Sequence, residues 1–501
     1  MNIRQKNWGY AKDMTFDVAI IGGGINGASI YKNLYHKGYK VILIDRGDFS
    51  CGTSQASAMM IWGGLLYLRN FDLKSVYAFS KDRDSMIKNY PDQISTQKFR
   101  YIPSAGNGPS RHLIYLGLHL YWVLGGFKRV RPTYEKQFTD SNFLKNGNQM
   151  GSLSYEEGFL QYSDSQFVLD WITRCQSQTT MALNYCEIEA GEYRDKDGYW
   201  VFHLRDTLGL HQINIKTRLV LNCAGVWTDE VNDEFGIESP YKHVLSKGVF
   251  IGYKKPAEHQ VPLIFEMGEH NDVLSCIPWG SVSLWGPTDT LSKSIEEGFQ
   301  IFPEDVRFLL KHARKNLALS MADSPIISLR CGIRPLAIKR DFTGDFYPLD
   351  VSRHHKIVKD SGLPWISIYG GKISGCLSLS EEVAQLISRI LSLPAEVAPC
   401  ESHSEKRDNR GTFPGLNGRV PTIDWCIEHE FCSTLEDYLR RRTNISQWVP
   451  REGLGFNNEN LAYIKDLASK LPTYQQTPGT DIVEDYLRRV HERFDHVIEE
   501  I

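Results

Sequence analysis

Three glycines and one aspartate near the start of the sequence have the spacing of a site that binds a dinucleotide through its pyrophosphate. Gly22, Gly24 and Gly27 follow the apolar run 16–21, which is suited to a buried parallel strand. In such a turn the first glycine permits the bend, the second lets the backbone approach phosphate, and the third lets a helix pack against the strand. Asp45 ends a second apolar run, where a carboxylate can accept hydrogen bonds from ribose hydroxyls. We therefore predict a bound dinucleotide at this turn.

The loop after Asp45 has a composition that favours contact with a flat ring system. Residues 45–57 are small and polar and contain glycine, and they lead to the segment 61–68 with the pair Gly63 and Gly64. Small residues let the backbone lie against a ring, and hydroxyl groups can bond its carbonyls and phosphates.

Two later strands also end in small residues. The predicted strand 217–221 leads into Ala224 and Gly225, and the predicted strand 365–369 leads into Gly370 and Gly371 ahead of a helix. A helix that begins at a strand end presents N–H groups to an anion. We expect both ends to meet the same cofactor as the first turn.

These residues must be positioned by alternating strands and helices, which predict an α/β fold in the first half of the chain. Helices are expected at 28–36, 164–175, 303–319 and 377–391, and a hairpin at 198–204 and 212–215. Residues 245–287 are β-rich and predict a second sheet across the cofactor. Residues 394–421 have the composition of a connector, and 434–443, 459–467 and 481–498 predict C-terminal helices.

Composition argues against several functional classes. The net charge of −3 gives no general attraction to nucleic acid or anionic membrane. The ten cysteines form no CxxC pair and no metal-type spacing, so we expect reduced thiols, no metal site and a cytoplasmic protein. The N-terminus lacks the apolar core of a secretory signal, and no stretch reaches the roughly 20 apolar residues of a transmembrane helix.

One apolar segment has two interpretations. Residues 113–126 are apolar and aromatic and are followed by Lys128, Arg129 and Arg131. The segment could lie in a membrane interface with its basic residues at the headgroups. It could also be a buried helix with a solvated basic end, which we favour because no sharp polar face is evident.

Together these motifs resemble the FAD-dependent glycerol-3-phosphate dehydrogenases, within the glycine oxidase and D-amino-acid oxidase type of flavoprotein. The resemblance spans most of the chain and rests on the stretches 21–27, 52–54, 63–65, 221–227, 277–279, 286–289, 332–336, 340–341, 370–372 and 435–443. The last of these is similar to the C-terminal helical domain of that family.

Three positions depart from the family pattern. Where the family usually has histidine, arginine and histidine, this chain has Trp62, Leu66 and Phe250. In the family the arginine helps bind the substrate phosphate, and the histidines lie at or near the reacting carbon and the flavin. A charge-assisted hydrogen bond contributes about 1.5–3 kcal/mol, and a general base contributes about 10²–10⁴ in rate. We therefore expect a substrate other than glycerol 3-phosphate.

The resemblance implies the site residues. FAD would contact Gly22, Gly24, Ile25, Asn26, Gly27, Asp45, Arg46, Thr53, Ser54, Ser57, Gly63, Gly64, Ala224, Gly225, Trp227, Gly370, Gly371, Lys372 and Ile373. The catalytic and substrate-binding candidates are Arg334, Lys372, Tyr67, Arg340 and Thr288.

Each candidate has an expected role. Arg334 can clamp an anion in bidentate fashion, and Lys372 can stabilise the reduced, anionic flavin ring. Tyr67 is assigned either to a hydrogen bond with substrate or to the core, and Arg340 either to the site or to a surface pair with Asp341.

The proton acceptor stays open. The candidates are Lys247, Tyr67, or a water held by Thr288 and Asp289.

The resemblance also implies the domain organisation. We expect a Rossmann-like FAD-binding domain with an interleaved β-rich substrate domain in 1–393, a linker in 394–421 and a C-terminal helical domain in 422–501. The FAD-binding parts are about 14–110, 155–235 and 325–393, and the substrate-domain sheet is about 236–324.

The predicted activity is hydride transfer from a hydroxyl-bearing carbon of a small anionic substrate to flavin N5, with quinone or oxygen as electron acceptor. The alternatives are an unchanged, quinone-linked glycerol-3-phosphate dehydrogenase, an amine or amino-acid oxidase of the same fold, and a flavin-binding protein without turnover. Peripheral contact with the inner membrane face and a homodimer are both compatible with the sequence.

Overall fold

Two β-sheets, with helices packed on them, make up the computed structural model of this chain. The structure describes residues 2–103, 109–137, 142–145, 151–209, 211–267, 273–343, 351, 353–391, 407–473 and 481–501. The predicted connector therefore lies partly outside the described residues.

The strands, in chain order, are β1 (Thr15–Ile21), β2 (Val41–Ile44), β3 (Met60–Ile61), β4 (Ile94–Ile102), β5 (Thr133–Glu135), β6 (Ser152–Leu160), β7 (Met181–Leu183), β8 (Cys186–Arg194), β9 (Tyr199–Asp206), β10 (Gln212–Asn222), β11 (Tyr241–Lys254), β12 (Leu263–Glu266), β13 (Val273–Trp279), β14 (Val282–Gly286), β15 (Thr290–Ser292), β16 (Ile326–Lys339), β17 (Lys356–Lys359) and β18 (Trp365–Tyr369).

The described helices are α1 (Ile3–Ala11), α2 (Ile25–His36), α3 (Leu73–Asn89), α4 (Arg111–Leu124), α5 (Asp164–Thr173), α6 (Thr228–Glu234), α7 (Ile295–Phe299), α8 (Pro303–Asn316), α9 (Leu319–Ala322), α10 (Cys376–Leu391), α11 (Ile423–His429), α12 (Ile445–Trp448), α13 (Leu461–Lys470), α14 (Ile482–Val490) and α15 (His496–Glu499).

The first sheet contains the predicted nucleotide-binding strands. Its order is β17-β18-β10-β1-β2-β7, and the strands from β18 to β7 in this order are parallel. The predicted hairpin is present as β9 and β10, which pair antiparallel. Because the carboxyl ends of β1, β2, β10 and β18 meet at one edge, the glycine turn, Asp45 and the two later small-residue stretches converge there.

The second sheet receives strands from a wider part of the chain than predicted. Its order is β15-β11-β14-β13-β12-β4-β6-β3, with β16 beside β11 and β5 beside β6. The predicted range of 236–324 contains β11 to β15, but β3 to β6 and β16 lie outside it. The parallel pairing of β12 with β4 joins strands that are far apart in sequence, and local periodicity carries no signal for such a pairing.

The second sheet is buried on both faces. Phe250, Ile264 and Ile277 belong to the core shared with the first sheet. Val249 and Phe265 belong to the core beneath the C-terminal helices. Successive residues of a strand point to opposite faces, so this alternation leaves one face of the sheet turned toward the first sheet.

The C-terminal helices are tied to the loop that follows β2. A π-helical turn, Asp437–Arg442, stands within the predicted helix 434–443. From it Arg441 and Arg442 both form ion pairs with Asp48, and all three side chains are buried. Although burial alone would raise it, Arg442 and Arg441 hold the pKa of Asp48 below its ordinary value.

The favoured interpretation of the apolar segment 113–126 is wrong. The segment is helical in α4, but only Leu118 and Tyr121 of α4 are buried. Large apolar side chains spaced three and four residues apart stay exposed, namely Leu113 (58%), Leu116 (66%), Leu120 (39%) and Val123 (47%), with Phe127 (58%) just beyond the helix. Since the helix is apolar on both faces, its sequence does not reveal which face packs.

None of the helices in the described part of the chain has the length and apolarity that a membrane crossing requires.

Candidate functional site

A cavity of about 1150 Å³ lies where the carboxyl ends of the first sheet face the second sheet. Ligand pockets usually measure about 300–1,000 Å³, so this space suits a large ligand with a smaller one beside it. Sixteen of the predicted cofactor contacts line it: Gly22, Gly24, Ile25, Asn26, Asp45, Arg46, Thr53, Ser54, Ser57, Ala224, Gly225, Trp227, Gly370, Gly371, Lys372 and Ile373.

The first glycine turn has the close backbone approach that a pyrophosphate needs. Gly22 has a φ of +105°, and a Cβ there would lie 2.5 Å from the carbonyl oxygen of Cys223. Gly24 precedes α2, and the N–H of Ile25 at its start donates to Ser54 Oγ at 2.9 Å. The N-terminus of α2 thus faces the cavity, as anion binding requires.

Asp45 lies at the end of β2 with both carboxylate oxygens engaged by backbone. Oδ2 accepts from the N–H of Gly23 at 2.7 Å, and Oδ1 accepts from the N–H of Gly47 at 2.9 Å. Burial raises the pKa of Asp45 to about 6. Each oxygen keeps a second lone pair, so the contact with ribose hydroxyls stays a prediction.

Three glycines predicted to touch the cofactor lie behind the cavity wall. A Cβ on Gly27 would lie 1.9 Å from the carbonyl oxygen of Gly22, so this glycine serves the packing of α2 on β1. A Cβ on Gly63 would lie 2.3 Å from Tyr121 Oη, and one on Gly64 would lie 3.0 Å from the ring of Tyr67. Close packing inside the protein therefore accounts for glycine at all three positions, without a contact to the cofactor.

The end of the cavity near Asp45 includes residues that the sequence interpretation missed. Cys186 and Ile188 of β8 line the cavity, and the N–H of Cys186 donates to the carbonyl oxygen of Asp45 at 2.8 Å. Arg46 also lines the cavity, and its guanidinium lies 4.9 Å from the centre of the Trp227 ring. The one glycine of β8, Gly191, packs against Phe202 and belongs to no nucleotide-binding motif, so nothing in the sequence of β8 indicated this position.

Two arginines share one aspartate at the other end of the cavity. Arg334 Nη1 lies 3.4 Å from Asp289 Oδ1 and donates to Ser246 Oγ at 3.1 Å. Arg353 Nη2 lies 3.3 Å from Asp289 Oδ2. Gly248 makes room for this arrangement, because a Cβ there would lie 2.5 Å from Arg334 Nη2.

The assignment of Arg340 to the site is wrong. Its guanidinium is half exposed, donates to the carbonyl oxygen of Ser239 at 3.0 Å and pairs with Asp229 at 3.1 Å. The second arginine at this end of the cavity is Arg353, which the sequence interpretation missed because it lies in no regular element. Arg340 lies just beyond the end of β16, at a point where the strand has already left the cavity.

Lys372 lies at the cavity wall on two aromatic rings. Its Nζ is 4.2 Å from the centre of the Tyr67 ring and 4.3 Å from that of Phe79. No carboxylate among the described residues pairs with it. Burial, and then the charge of Arg353, lower the pKa of the Lys372 amine well below its ordinary value. Tyr67 therefore supports Lys372 from behind and does not line the cavity.

Of the remaining candidates, Lys247 lies outside the cavity and Thr288 lines it. Lys247 is buried in an ion pair with Asp305 at 2.7 Å and does not line the cavity, so it is no proton acceptor. Thr288 does line the cavity, and its Oγ1 accepts from the N–H of Val249 at 2.9 Å.

Apolar side chains, here called the apolar wall, also line the cavity. The wall consists chiefly of Trp62, Leu66, Phe250, Ile264, Met267 and Leu274. The first three are the positions at which the sequence departs from the family pattern. The other three come from β12 and β13 or their ends and were missed.

Known proteins resemble this chain in sequence and in fold. A model of the family "FAD dependent oxidoreductase" matches residues 17–374. Aerobic glycerol-3-phosphate dehydrogenase of Staphylococcus saprophyticus is 26% identical over 393 residues, which cover 76% of this chain and 68% of that protein. The corresponding Staphylococcus aureus (strain MRSA252) protein is 27% identical over 386 residues, covering 75% and 67%.

Solved structures agree with the fold. Glycerol-3-phosphate dehydrogenase from Bacillus halodurans, complexed with FAD, matches with a TM-score of 0.70 at 17% identity, covering 98% of both chains. Glycine oxidase from Geobacillus kaustophilus matches with a TM-score of 0.55 at 16% identity, covering 78% of this chain and 100% of that one. The first match extends over the C-terminal helices, and the second covers a smaller share of the chain.

Proposed function

The chain belongs to the FAD-dependent oxidoreductase family, and from this membership we propose that it oxidises a CH–OH carbon of a small anionic substrate. The observation that carries the proposal is the pair Arg334 and Arg353 at one end of the cavity, with Lys372, near Arg353, lining the same cavity. When bound, FAD supplies N5 as the hydride acceptor.

The residues present fit FAD. The N-terminus of α2 would take the pyrophosphate, and Asp45 and Arg46 would flank the adenosine. The stretch from Gly370 to Lys372 would meet the ring, because it lies on the arginine side of the same cavity.

The two arginines would hold the anionic group of the substrate. Asp289 neutralises one of the two guanidinium charges and fixes both side chains, so they stay oriented before substrate binds. Orientation of this kind lowers the entropy lost on binding.

Lys372 would accept the hydroxyl proton of the substrate. It lines the cavity, and its lowered pKa provides a neutral amine at a pH at which an ordinary lysine is charged. Tyr67 and Phe79 would hold the amine in position from behind.

Anaerobic bleaching of the flavin tests the activity. Purified holoenzyme is mixed with glycerol 3-phosphate, 2-hydroxy acids and amino acids, and products are identified by mass. We expect at least one anionic alcohol to bleach the flavin. Reduction by dithionite but by no alcohol would contradict the proposal, and bleaching by amino acids alone would make the protein an amine-oxidising relative.

We also propose that the protein is cytoplasmic and contacts a membrane through α4. Leu113, Leu116, Leu120 and Val123 present an exposed apolar face. Arg111, Lys128 and Arg131 are exposed around it, and residues 109–134 contain no Asp or Glu. An apolar face with a basic rim is complementary to a bilayer with anionic headgroups. Such a contact would favour a membrane quinone over oxygen as electron acceptor.

Vesicle flotation tests the membrane contact. The wild-type protein should float with vesicles that contain anionic lipid, and Leu116→Glu should not. Leu291→Glu serves as the control because Leu291 is exposed elsewhere, on β15. Equal flotation of both variants would contradict the proposal, and a dimer that Leu116→Glu dissociates would assign the face to a second copy of the chain.

A further inference from the structure

We propose that the substrate is a 2-hydroxycarboxylate with an apolar chain, its carboxylate on Arg334 and Arg353 and its chain along the apolar wall. This inference rests on the proposed oxidation of a CH–OH carbon. It adds the chemical class of the substrate, which follows from the charges at one end of the cavity and the apolar wall of the same cavity.

The floor of the apolar wall is a row of neighbouring residues across the second sheet. The ring of Phe250 lies over Gly286, since a Cβ on that glycine would be 2.8 Å from Phe250 Cδ1. Ser275 pairs with Gly286, and Ile264 pairs with Ser275. The Ser275 hydroxyl donates to the carbonyl oxygen of Gly286 at 2.7 Å and is buried. The only hydroxyl of this row therefore has its proton engaged by the backbone.

The anion site and the apolar wall are close enough for one small molecule to reach both. Ser246, Gly248 and Phe250 alternate along β11 and point to the same face. Ser246 bonds Arg334, and the Arg334 guanidinium lies over Gly248. Phe250 follows two residues later, about 7 Å along the strand. A carboxylate on the guanidinium thus places the carbon chain of its own molecule against the Phe250 ring.

The charge balance favours a monoanion. Arg334 and Arg353 together carry two positive charges, and Asp289 removes one. A doubly charged phosphate would need a further cation, and the wall supplies Leu66 and Trp62 instead. An amino acid would bring an ammonium group beside two guanidinium groups, so a hydroxyl is the better substituent.

In the proposed oxidation the C–H bond of the hydroxyl-bearing carbon breaks, and FAD, when bound, would accept its electron pair as hydride. The O–H proton passes to the Lys372 amine, and the carbon becomes the carbonyl of a 2-oxo acid. The two electrons then leave to a quinone or to oxygen.

Chain length is the variable that tests this inference. Binding to the holoenzyme is measured by calorimetry with acetate, butyrate and hexanoate, which lack the hydroxyl and cannot react. Each buried methylene should raise the affinity about fourfold. Methyl phosphate should bind more weakly than butyrate. In anaerobic bleaching, 2-hydroxyhexanoate should be used more efficiently than glycolate, glycerol 3-phosphate or norleucine.

Substitutions in the apolar wall test whether its side chains cause the chain-length dependence of binding. Leu66→Arg should flatten the chain-length dependence and strengthen methyl phosphate binding by about tenfold or more. Leu319→Arg, at an exposed leucine of α9, is its control and should keep the wild-type pattern. Phe250→His should weaken hexanoate binding. Phe456→His, at an exposed phenylalanine of the C-terminal region, is its control and should change nothing.

The results that would contradict the substrate class differ from those that would contradict the proposed oxidation. Equal affinity for acetate and hexanoate, or preference for glycerol 3-phosphate, would overturn the substrate class while leaving the oxidation of an anionic alcohol intact. Preference for norleucine over 2-hydroxyhexanoate would overturn the hydroxyl. Strong chain-length dependence in binding, without bleaching by any hydroxy acid, would support the apolar wall and reject the proposed oxidation.

Discussion

At Lys372, an amine lies on two aromatic rings, at the wall of a cavity that also holds the guanidinium groups of Arg334 and Arg353. An exposed lysine has a pKa near 10.4, and burial, with the charge of Arg353, lowers the pKa of the folded Lys372 well below that value. Between the two pKa values the unfolded chain binds more protons than the folded one. The free energy of unfolding therefore rises with pH through this window and levels off above it.

Lys372→Met should remove this dependence. At neutral pH the variant should be more stable than the wild type, because the wild type must release the Lys372 proton on folding and the variant has no such cost. The difference should shrink as pH rises towards about 10. Urea unfolding at saturating FAD measures it, with Lys359→Met, at an exposed lysine of β17, as the control. Parallel pH curves for the wild type and Lys372→Met would contradict the assignment.

Arg353 and Arg340 provide a matched pair for the anion site. Arg353→Met should weaken binding of a substrate anion by about tenfold to a hundredfold, because a charge-assisted hydrogen bond is lost. Arg340→Met should leave binding unchanged, since that side chain pairs at the surface with Asp229. Calorimetry with butyrate distinguishes the two variants. An equal loss of butyrate affinity in both variants would show that Arg340 belongs to the anion site.

At the scale of elements, the π-helical turn Asp437–Arg442 is joined to the loop after β2. Arg442 Nη2 donates to Asp48 at 2.9 Å and to the carbonyl oxygen of Glu430 at 2.6 Å. Asp48 stands three residues beyond Asp45, so the C-terminal helices support the loop that lines the Asp45 end of the cavity.

Arg442→Met should destabilise the protein by about 3–5 kcal/mol, since it removes one partner of a buried ion pair. Arg410→Met is the matched control, because Arg410 pairs with Asp408 in solvent and should cost less than about 0.5 kcal/mol. Urea unfolding monitored by fluorescence gives both values. A loss below 1 kcal/mol for Arg442→Met would show that Arg441 alone satisfies Asp48.

Elements with a local signal could be predicted, and elements that depend on distant partners could not. The strands β1, β2, β10 and β18 are apolar runs with glycine or small residues at their ends, and all were expected. The exposed face of α4 was not, because packing partners decide which side of an apolar helix is covered. Likewise, Arg353 replaces Arg340 in the cavity because the path of the backbone after β16, and not the residue type, decides which arginine reaches it.

At the scale of the whole molecule, the cavity joins the two sheets. Its walls come from the ends of β1, β2, β10 and β18 and from β11 to β13 and β16. Any ligand that fills it contacts segments from most of the chain, so binding and global stability are linked.

Removal of FAD should therefore lower the melting temperature of the entire protein in one transition. At about 100 times the dissociation constant, a ligand adds about 2.7 kcal/mol to the free energy of unfolding. Thermal unfolding at increasing FAD should show a melting temperature that rises with the logarithm of FAD concentration. Riboflavin lacks the pyrophosphate and adenosine and should produce a smaller shift. A melting temperature independent of FAD would contradict the assignment of this cavity to the cofactor.

The ion pairs of Asp48 with Arg441 and Arg442 also set an order of events during synthesis. During translation, Asp48 is synthesised nearly 400 residues before its partners Arg441 and Arg442. Until then the Asp48 carboxylate lacks these two guanidinium groups, and we expect the loop after β2 not to be fixed in place. We therefore expect the nascent polypeptide to acquire its flavin only when translation is almost finished.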